Sequence, residues 1–364
     1  MTPTRVLEVE LSAPLADVAV PEHRAARVLV RLHGTPLGLL DLPVTAGVLR
    51  AEDLATAVDR DLSLAAHLDG DGVASPAAPP PADGWPCQAP GPHPLPGSLA
   101  VVLCTRDRPE SLRTALTSVL AALGPGDEVV VVDNAPRTDA TRRVVQELDD
   151  ARVVYLLEPR PGLSGARNAG TRATRAEVVA FTDDDVVVDR GWPAGLLRGF
   201  TRAPRVGCVT GLVPSAELDT AAQHLFDRKV QWSSSCAPRL FDLDAHRGPG
   251  ALWPYQIGVA GTGASFALRR EAFDDLDGFD EALGAGALTR GGEDLDWFAR
   301  TVLAGWTLAY EPSALVWHRH RRDLDALADQ LYGYGTGLTA YLTKHALTGR
   351  GLRVLAGGVL RGGR

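Results

Sequence analysis

Three consecutive carboxylates, Asp183, Asp184 and Asp185, directly follow the apolar run "EVVAFT". Like charges this close disfavour one another's ionisation, so a folded chain needs a reason to keep them together. Carboxylate oxygens are the ligands that Mg²⁺ and Mn²⁺ prefer, and these ions usually share their coordination with phosphate groups of a bound ligand. The pattern therefore predicts either a solvated acidic turn or half of a metal site that serves a phosphorylated ligand.

Two further stretches carry residues that could do chemistry. In "GGEDLDWFA", Glu293, Asp294 and Asp296 open an apparent helix, where the helix dipole stabilises negative charge. This placement would also keep a general base ionised, and the preceding pair of glycines would let the loop move. In "VWHRH", His318 and His320 point to the same side if the segment is a strand. Either histidine could complete a metal site.

The elements that must position these residues follow a regular alternation. Continuous apolar runs alternate with helical patterns, which predicts a parallel sheet covered on both faces. The runs cover 98–105, 128–134, 152–158 and 177–185, and the helical patterns cover 108–123, 137–148 and 162–175. Ligands of such sheets bind beyond the carboxyl ends of the strands. Those ends carry Thr105, Arg106, Asp133 and the three aspartates.

The familiar phosphate-binding glycine loops are missing from the sequence. Neither G-x-G-x-x-G after the first strand nor G-x-x-x-x-G-K-[ST] occurs. The glycines of "GLSGARNAG" (162–170) fit neither spacing. A divalent cation held by carboxylates is the natural substitute for neutralising a phosphate group.

Composition limits the class of protein. A chain of 364 residues suggests two units, and its net charge of -8 argues against a nucleic-acid binder. The four cysteines are scattered and predict neither a zinc ribbon nor a disulfide framework. The first residues lack the layout of a signal peptide, and no apolar run approaches the roughly 18 residues that span a bilayer. The default expectation is a cytoplasmic protein.

Composition also predicts the domain boundaries. Residues 70–97 are rich in Pro, Gly and Ala and predict a linker. Residues 1–69 predict a small α+β domain, with strands at 5–11 and 26–44, turns near Gly34 and Gly38, and a helix over 51–68. Residues 98–345 form the main domain.

The end of the chain, residues 346–364, is predicted to be a basic, glycine-rich tail. The glycines that begin at Gly333 disfavour a stable helix, so a frayed or dimer-contacting end is favoured. The alternative is a segment that lies on the inner face of the membrane or holds a lipid-linked acceptor.

Four stretches of the main domain resemble, in order, the nucleotide-binding half of family 2 glycosyltransferases with the GT-A fold. They are "VVLCTRDRPESLRTAL", "EVVVVDN", "GLSGARNAG" and "VVAFTDDDV". "GTGASFALRREAF", "GFDEALG", "GGEDLDWFARTVLAGW" and "ALVWHRH" agree with the second half. The resemblance covers about residues 98–345 and implies an α/β fold with a Rossmann-like nucleotide-binding sheet, here preceded by the N-terminal domain.

The resemblance implies roles for individual residues. Nucleotide contacts fall on the following set: Thr105, Arg106, Asp133, Arg167, Asp183 and Asp184. The alternative for Arg167 is a charge on the surface of a helix. Asp185 and His318 match the metal ligands for Mn²⁺ or Mg²⁺, with His320 as the alternative. Asp294 matches the general base beside Glu293, and the sugars or acceptor are expected near Gly261, Thr262 and Gly263.

The implied activity is an inverting, metal-dependent sugar transfer from a UDP-, GDP- or dTDP-sugar. The acceptor is not specified by the sequence; a peptide, a natural product and a lipid-linked glycan are the candidates, and the enzyme is a candidate homodimer. Two alternatives remain open. A sugar-phosphate nucleotidyltransferase usually carries a glycine-rich loop after the first strand, which "CTRDRPESL" lacks. A non-catalytic binding protein on the same fold is the other.

Overall fold

The computed structural model describes residues 3–62, 97–230, 232 and 235–348. These residues form two compact units. The first unit takes its described residues from 1–93, 214–237 and 319–327, and the second from 94–213, 238–318 and 328–364. The predicted linker, except Gly97, lies outside the described residues, and the predicted tail is described only to Thr348.

The first unit contains a three-stranded sheet made of β1 (Thr4–Glu10), β3 (Ala25–Leu32) and β4 (Thr35–Pro43). Strand β3 pairs in parallel with β1 and antiparallel with β4. The short strands β2 (Val18–Ala19) and β5 (Val48–Leu49) pair with each other. Helix α1 (Ala51–Asp61) contributes buried Leu54 and Val58 to the same core as Val28 and Val30. Described residues 3–62 thus combine strands and a helix, and the unit also includes residues from 214–237 and 319–327. The domain bounds 1–69 stay a prediction.

One detail of this unit differs from the prediction. The turn near Gly34 is confirmed, but Gly38 lies inside β4. A Cβ atom at position 38 would lie 2.3 Å from Cδ2 of Leu62. Gly38 is therefore a site of close packing within a strand, a use of glycine that the sequence does not distinguish from a turn.

The second unit is built on an eight-stranded sheet with the order β12-β14-β11-β13-β9-β6-β7-β8. Its strands are β6 (Leu99–Thr105), β7 (Glu128–Asn134), β8 (Val153–Glu158), β9 (Val178–Thr182), β11 (Val206–Gly211), β12 (Arg239–Phe241), β13 (Ser265–Arg269) and β14 (Thr307–Glu311). The four strands predicted from apolar runs are β9, β6, β7 and β8, and they are parallel as predicted.

The sheet is mixed beyond these four strands. Strand β13 runs antiparallel to both β9 and β11. A purely parallel sheet is therefore wrong for this half, because strand direction depends on long-range pairing that apolar runs do not encode.

Seven α-helices lie wholly or mostly in the described part of the second unit. They are α2 (Pro109–Ala122), α3 (Ala140–Leu148), α4 (Leu163–Ala173), α5 (Trp192–Gly199), α7 (Arg270–Asp275), α8 (Glu293–Leu303) and α9 (Leu324–Ala346), while α6 (Ala221–Val230) belongs to the first unit. Helices α2, α3 and α4 confirm the three helical patterns. Pro109 occupies the first turn of α2, where its missing N–H costs nothing.

Helix α9 corrects a prediction. It runs for 23 residues through Gly333, Gly335 and Gly337, where the sequence disfavoured a stable helix. Gly333 and Gly337 are buried and pack against neighbouring backbone, so tertiary packing offsets their poor helix propensity. In the part of the chain that the structure describes, no helix has the length and apolar character needed to cross a bilayer.

Candidate active site

The three aspartates at 183–185, here called the aspartate triplet, form the turn between two strands. Strand β9 ends at Thr182 and β10 (Val186–Val188) begins directly afterwards. Strand β10 pairs antiparallel with β15 (Val316–His318), with Val186 opposite His318. This ribbon brings together residues more than 130 positions apart in the sequence and places the imidazole beside the triplet.

Asp183, Asp185 and His318 form a group whose potential ligand atoms all lie within 4.8 Å of one another. Nε2 of His318 lies 3.4 Å from Oδ1 of Asp185. Two carboxylate oxygens and one imidazole nitrogen are a donor set that fits Mn²⁺ or Mg²⁺, with further positions left for phosphate oxygens. The residues present therefore fit the expected ion.

The electrostatics of the triplet favour a bound cation. Burial and the charges of Asp185 and Asp184 raise the pKa of Asp183 to about 8, although Arg167 opposes the shift. Burial also raises the pKa of Asp184, together with the charge of Asp185 and against that of Arg108. The protein's own positive charges therefore do not fully neutralise this turn.

Asp184 is anchored by protein groups. Its Oδ2 accepts a hydrogen bond of 2.6 Å from the Thr105 hydroxyl, and its Oδ1 accepts one of 2.6 Å from Nη1 of Arg108. The same Nη1 donates to Oδ2 of Asp185 at 3.2 Å. Asp184 thus ties the turn to the end of β6, and neither carboxyl oxygen is left without a protein donor.

Arg108 was missed by the sequence analysis, which singled out Arg106. Arg106 is exposed on the loop after β6. Arg108 directly precedes α2, and its side chain contacts the aspartate triplet. Both arginines occur within "TRDRPE", and their spacing does not indicate which one turns inward. The nucleotide-binding role of Arg106 stays a prediction.

Asp133 lies fully buried near the end of β7, next to β6 in the sheet. Its Oδ2 accepts a hydrogen bond of 2.8 Å from the hydroxyl of Tyr155 on β8. Burial raises the pKa of Asp133, and the Tyr155 and Thr141 hydroxyls lower it in part. Its buried Oδ1 has no hydrogen-bond partner of normal geometry among the described residues. That oxygen suits a donor group on a ligand.

Arg167, on α4, has a side chain only 3% exposed, which rules out the alternative of a surface helix charge. Its guanidinium carbon lies between 5.2 and 5.9 Å from the ring centres of Phe181, Phe266 and Phe279. The aromatic rings hold the cation in place and exclude water around it.

The polar contacts of Arg167 connect the two acidic parts of the site. Nη1 donates to Oε1 of Glu293 at 3.1 Å, and Nη2 donates to the carbonyl of Gly263 at 3.2 Å. Nη2 also lies 3.6 Å from Oδ1 of Asp183. One buried cation therefore contacts both the aspartate triplet and the start of α8.

Glu293, Asp294 and Asp296, here called the α8 acidic cluster, lie in the first turn of α8. Oδ2 of Asp294 accepts the amide of Gly263 at 2.9 Å, and its Oδ1 accepts the amide of Leu295 at 2.8 Å. Amide donors stabilise the ionised form of a carboxyl. Burial and the charge of Asp294 raise the pKa of Glu293, which Arg167 opposes.

The segment from Gly261 to Gly263 joins these parts at the backbone. A Cβ atom at 263 would lie 3.2 Å from both Nη2 of Arg167 and Oδ2 of Asp294. Gly261 has φ +146, and a Cβ there would meet Thr210 at 2.5 Å. Thr262 is buried. The predicted sugar-binding segment therefore lies against Asp294, and its glycines allow that approach.

His320, the alternative metal ligand, is placed elsewhere. It belongs to the first unit, where its ring packs on Phe226 with ring centres 4.4 Å apart. His318 is the histidine that the structure brings to the aspartate triplet. The strand ends at His318, so the two side chains do not share the environment that an extended strand would give them.

The large mixed sheet, with parallel strands that carry polar residues at their carboxyl ends, is that of a GT-A-type α/β fold. Residues 100–277 match the family model described as glycosyl transferase family 2. The pre-mycofactocin glycosyltransferase of Mycobacterium tuberculosis is 30% identical over 273 residues, which cover 70% of this chain and 50% of that protein. The succinoglycan biosynthesis protein ExoO of Rhizobium meliloti is 29% identical over 257 residues, covering 69% of this chain and 70% of ExoO. The matched part of this chain belongs to glycosyltransferase family 2.

The chain spans half the length of its mycobacterial relative. Among solved structures, it is similar to a mannosyltransferase from Pyrobaculum calidifontis in complex with GDP-Man and Mn²⁺. The identity is 16%, over 72% of this chain and 79% of that one, with a TM-score of 0.43. A second is GalNAc-T7 with UDP, GalNAc and Mn²⁺, at 18% identity over 66% and 46%, with a TM-score of 0.46.

Proposed function

We propose that this protein transfers a sugar from a nucleoside-diphosphate sugar to a hydroxyl group of an acceptor, with inversion at the anomeric carbon. One observation carries the proposal. Buried Arg167 contacts Asp183 on one side and Glu293 on the other, so the aspartate triplet and Asp294 belong to one site. The family match supports sugar transfer from a nucleotide donor as the general activity.

The donor is bound by residues at the strand ends. We assign the nucleoside to Asp133, whose buried Oδ1 suits a hydroxyl or N–H donor of the ligand. Asp183 faces the ribose in this assignment, and Arg167 supplies positive charge beside the diphosphate. Asp184 holds the turn in place through Thr105 and Arg108. Its contribution to nucleotide binding is therefore indirect.

Asp185 and His318 would hold Mn²⁺ or Mg²⁺, with Asp183 beside them. When bound, the ion offsets the negative charge that develops on the leaving diphosphate. Asp185 and His318 are the two ligands that the proposal requires, because Asp183 is shared with Arg167. Crowding within the triplet supports this assignment, since a cation relieves the repulsion that raises the pKa of Asp183.

Asp294 is the proposed general base. It removes the proton from the acceptor hydroxyl while the acceptor oxygen forms its bond to the anomeric carbon. In the same step the bond from that carbon to the diphosphate oxygen breaks, and the diphosphate leaves with the electron pair. The amides of Gly263 and Leu295 donate hydrogen bonds to the Asp294 carboxylate and fix its position. Glu293 accepts a hydrogen bond from Arg167 and so holds that guanidinium in place.

The experiment that tests the proposal is a thermal-shift screen of UDP, GDP and dTDP, each with and without Mn²⁺. A ligand that binds only the folded state raises the apparent melting temperature by mass action. We expect one nucleotide to stabilise the protein only when Mn²⁺ is present, and Asp185→Ala to abolish that dependence. Stabilisation that does not depend on Mn²⁺ would refute the metal assignment.

An assay of the released products separates the alternatives. A nucleotidyltransferase would release pyrophosphate from a nucleoside triphosphate and a sugar phosphate, whereas a sugar transferase releases nucleoside diphosphate from the matching donor. A binding protein without catalytic activity would show nucleotide-dependent stabilisation and release neither product.

A further inference from the structure

Helix α9 lies against the turn that precedes the proposed base. Gly337 packs on Gly291 and Gly292: a Cβ atom at position 337 would lie 2.4 Å from the carbonyl carbon of Gly291 and 2.8 Å from the amide nitrogen of Gly292. In the reverse direction, a Cβ at 292 would lie 2.5 Å from the carbonyl oxygen of Gly337. Helix and turn are thus in direct backbone contact, and neither position has room for a side chain.

The turn formed by Gly291 and Gly292 leads directly into α8, the helix that carries the proposed base, Asp294. Gly292 has φ +87, a conformation that favours glycine, and its carbonyl accepts the amide of Asp296 in the first turn of α8. Gly291 accepts the amide of Gly284. A displacement of this turn therefore displaces the residue two positions further on, Asp294.

Helix α9 holds α8 at a second point through charges. Asp296 is fully buried, and its Oδ1 lies 2.7 Å from Nζ of Lys344 and 3.0 Å from Nε2 of His345, both on α9. Its Oδ2 accepts a hydrogen bond of 2.7 Å from Nε of Arg300. Lys344 also pairs with Asp280 at 2.8 Å. Asp294 thus lies between two anchor points, Gly292 and Asp296, that both depend on α9.

A third observation places α9 at the site itself. Burial, followed by the charges of Asp294 and Asp183, raises the pKa of Tyr334, one residue after Gly333. Arg290, before the glycine turn, packs over the ring of Tyr332 at 5.4 Å and pairs with Asp329. Helix α9 therefore contacts the segment that leads into α8 at Arg290 as well as at Gly291 and Gly292.

We infer that α9 is a positioning element for the reaction, and that Gly337 and Lys344 set the location of the Asp294 carboxylate. This inference rests on the proposed function, since it takes Asp294 as the base. Gly337 is then required for close approach, which explains why the helix keeps a residue of low helix propensity at that position. A misplacement of about 1 Å at a reacting group costs on the order of 10²-fold in rate.

The chain offers a matched control. Gly335 lies in the same helix, and a Cβ atom there would meet nothing within 4 Å. Gly335→Ala therefore changes helix propensity by the same amount as Gly337→Ala without pressing on the turn. The two variants separate a change in the helix from a change in its contact with Gly291 and Gly292.

The test measures nucleotide affinity, turnover and amide exchange in parallel. The probes are Mn²⁺ with the diphosphate selected by the thermal-shift screen, and hydrolysis of the corresponding nucleotide sugar. We expect Gly337→Ala to lower kcat by about 10²-fold, with the Kd for the Mn²⁺–nucleotide pair within about twofold of wild type. Gly335→Ala should match wild type in both. Lys344→Met, which adds no steric clash, should lower kcat severalfold at unchanged Kd.

Hydrogen exchange provides a readout that does not need activity. The amides of Gly263 and Leu295 donate to Asp294, so they should exchange faster in Gly337→Ala than in Gly335→Ala if the carboxylate moves. Equal exchange in the two variants overturns the inference, as does a Gly337→Ala enzyme with wild-type kcat. If Gly337→Ala does not fold, an unchanged kcat in Lys344→Met overturns it. Failure of the wild-type protein to bind any nucleotide would instead refute the proposed function.

Discussion

The two acidic groups of the site each contain an aspartate that contrasts with the other: burial and nearby carboxylates raise the pKa of Asp183, whereas neighbouring cations lower that of Asp296. In the aspartate triplet, carboxylates crowd one another and the pKa of Asp183 rises to about 8. In the α8 acidic cluster, burial of Asp296 is outweighed by His345, Arg300 and Lys344, which hold its pKa at about 2. Asp294 there accepts two amide hydrogen bonds. The protein neutralises one group with its own donors and leaves the other short of positive charge.

This difference suggests a division of labour. A group that must bind a cation gains from mutual repulsion, because the ion relieves it and part of the binding energy comes from that relief. A general base must instead be held ionised in a fixed place, which amides and buried cations achieve. Both groups consist of carboxylate side chains. They differ in the hydrogen-bond donors and cations that the protein places around each carboxylate.

The largest effect is expected from a substitution of the proposed base, Asp294. Asp294→Asn removes the proton acceptor but keeps the shape and one acceptor oxygen, so kcat should fall by about 10²–10⁴-fold. The Kd for Mn²⁺ and nucleotide should change little, because the aspartate triplet is untouched. Single-turnover transfer and calorimetric titration give the two quantities. Turnover close to wild type would show that the base lies elsewhere.

A second prediction removes the neutralised charge itself. Asp296→Asn leaves Arg300, Lys344 and His345 without their shared counter-charge, and breaking a buried ion pair costs about 3–5 kcal/mol. Urea denaturation measures the free energy of unfolding. The control is Asp329→Asn, which removes an exposed partner of Arg290 and should cost no more than about 1 kcal/mol. Equal losses of unfolding free energy in the two variants would mean that the ion pairs around Asp296 contribute no more stability than an exposed ion pair.

The third prediction concerns pH and sharpens the contrast. The pKa of Asp183 is raised above its usual value near 3.8, so its ionisation destabilises the ion-free fold increasingly as pH rises from about 4 towards 8. Mn²⁺ needs the deprotonated carboxylate. Its affinity should therefore increase with pH between about 6 and 8, by up to tenfold per unit, and by less to the extent that solvent screens the partly exposed carboxyl.

Calorimetric titration of Mn²⁺ at several pH values checks this slope. Asp183→Asn should flatten it, because the group that exchanges a proton for the ion is gone. Asp296 should contribute no slope in this range, since its carboxyl is already ionised far below it. An affinity independent of pH in the wild-type protein would contradict the electrostatic account of the triplet.

Much of the fold could be predicted because its signals are local. Apolar runs marked β6, β7, β8 and β9, and Pro109 marked the start of α2. The antiparallel β13 and the helical course of α9 could not be predicted, because both depend on partners far away in the sequence. The same holds for Gly38, whose reason is the Leu62 side chain that fills its space.

The site residues also divide into those that a local pattern predicts and those that depend on distant partners. The aspartate triplet, Asp133 and the acidic start of α8 were recognisable from residue type and position after a strand or before a helix. Tyr155 and Arg108 were missed, since each acts through a neighbouring strand or loop that carries no mark of the contact.

The order of residues along the chain was enough to predict an α/β fold with a cluster of carboxylates at the strand ends. Only the tertiary structure decided which histidine joins Asp183 and Asp185, because the ribbon of β10 and β15 ends at His318 and leaves His320 in the other unit. It alone also decided that Arg167 is buried between the two acidic groups and that α9 packs on the glycine turn that precedes α8. Strand pairing and close backbone contact bring together groups that no local pattern connects.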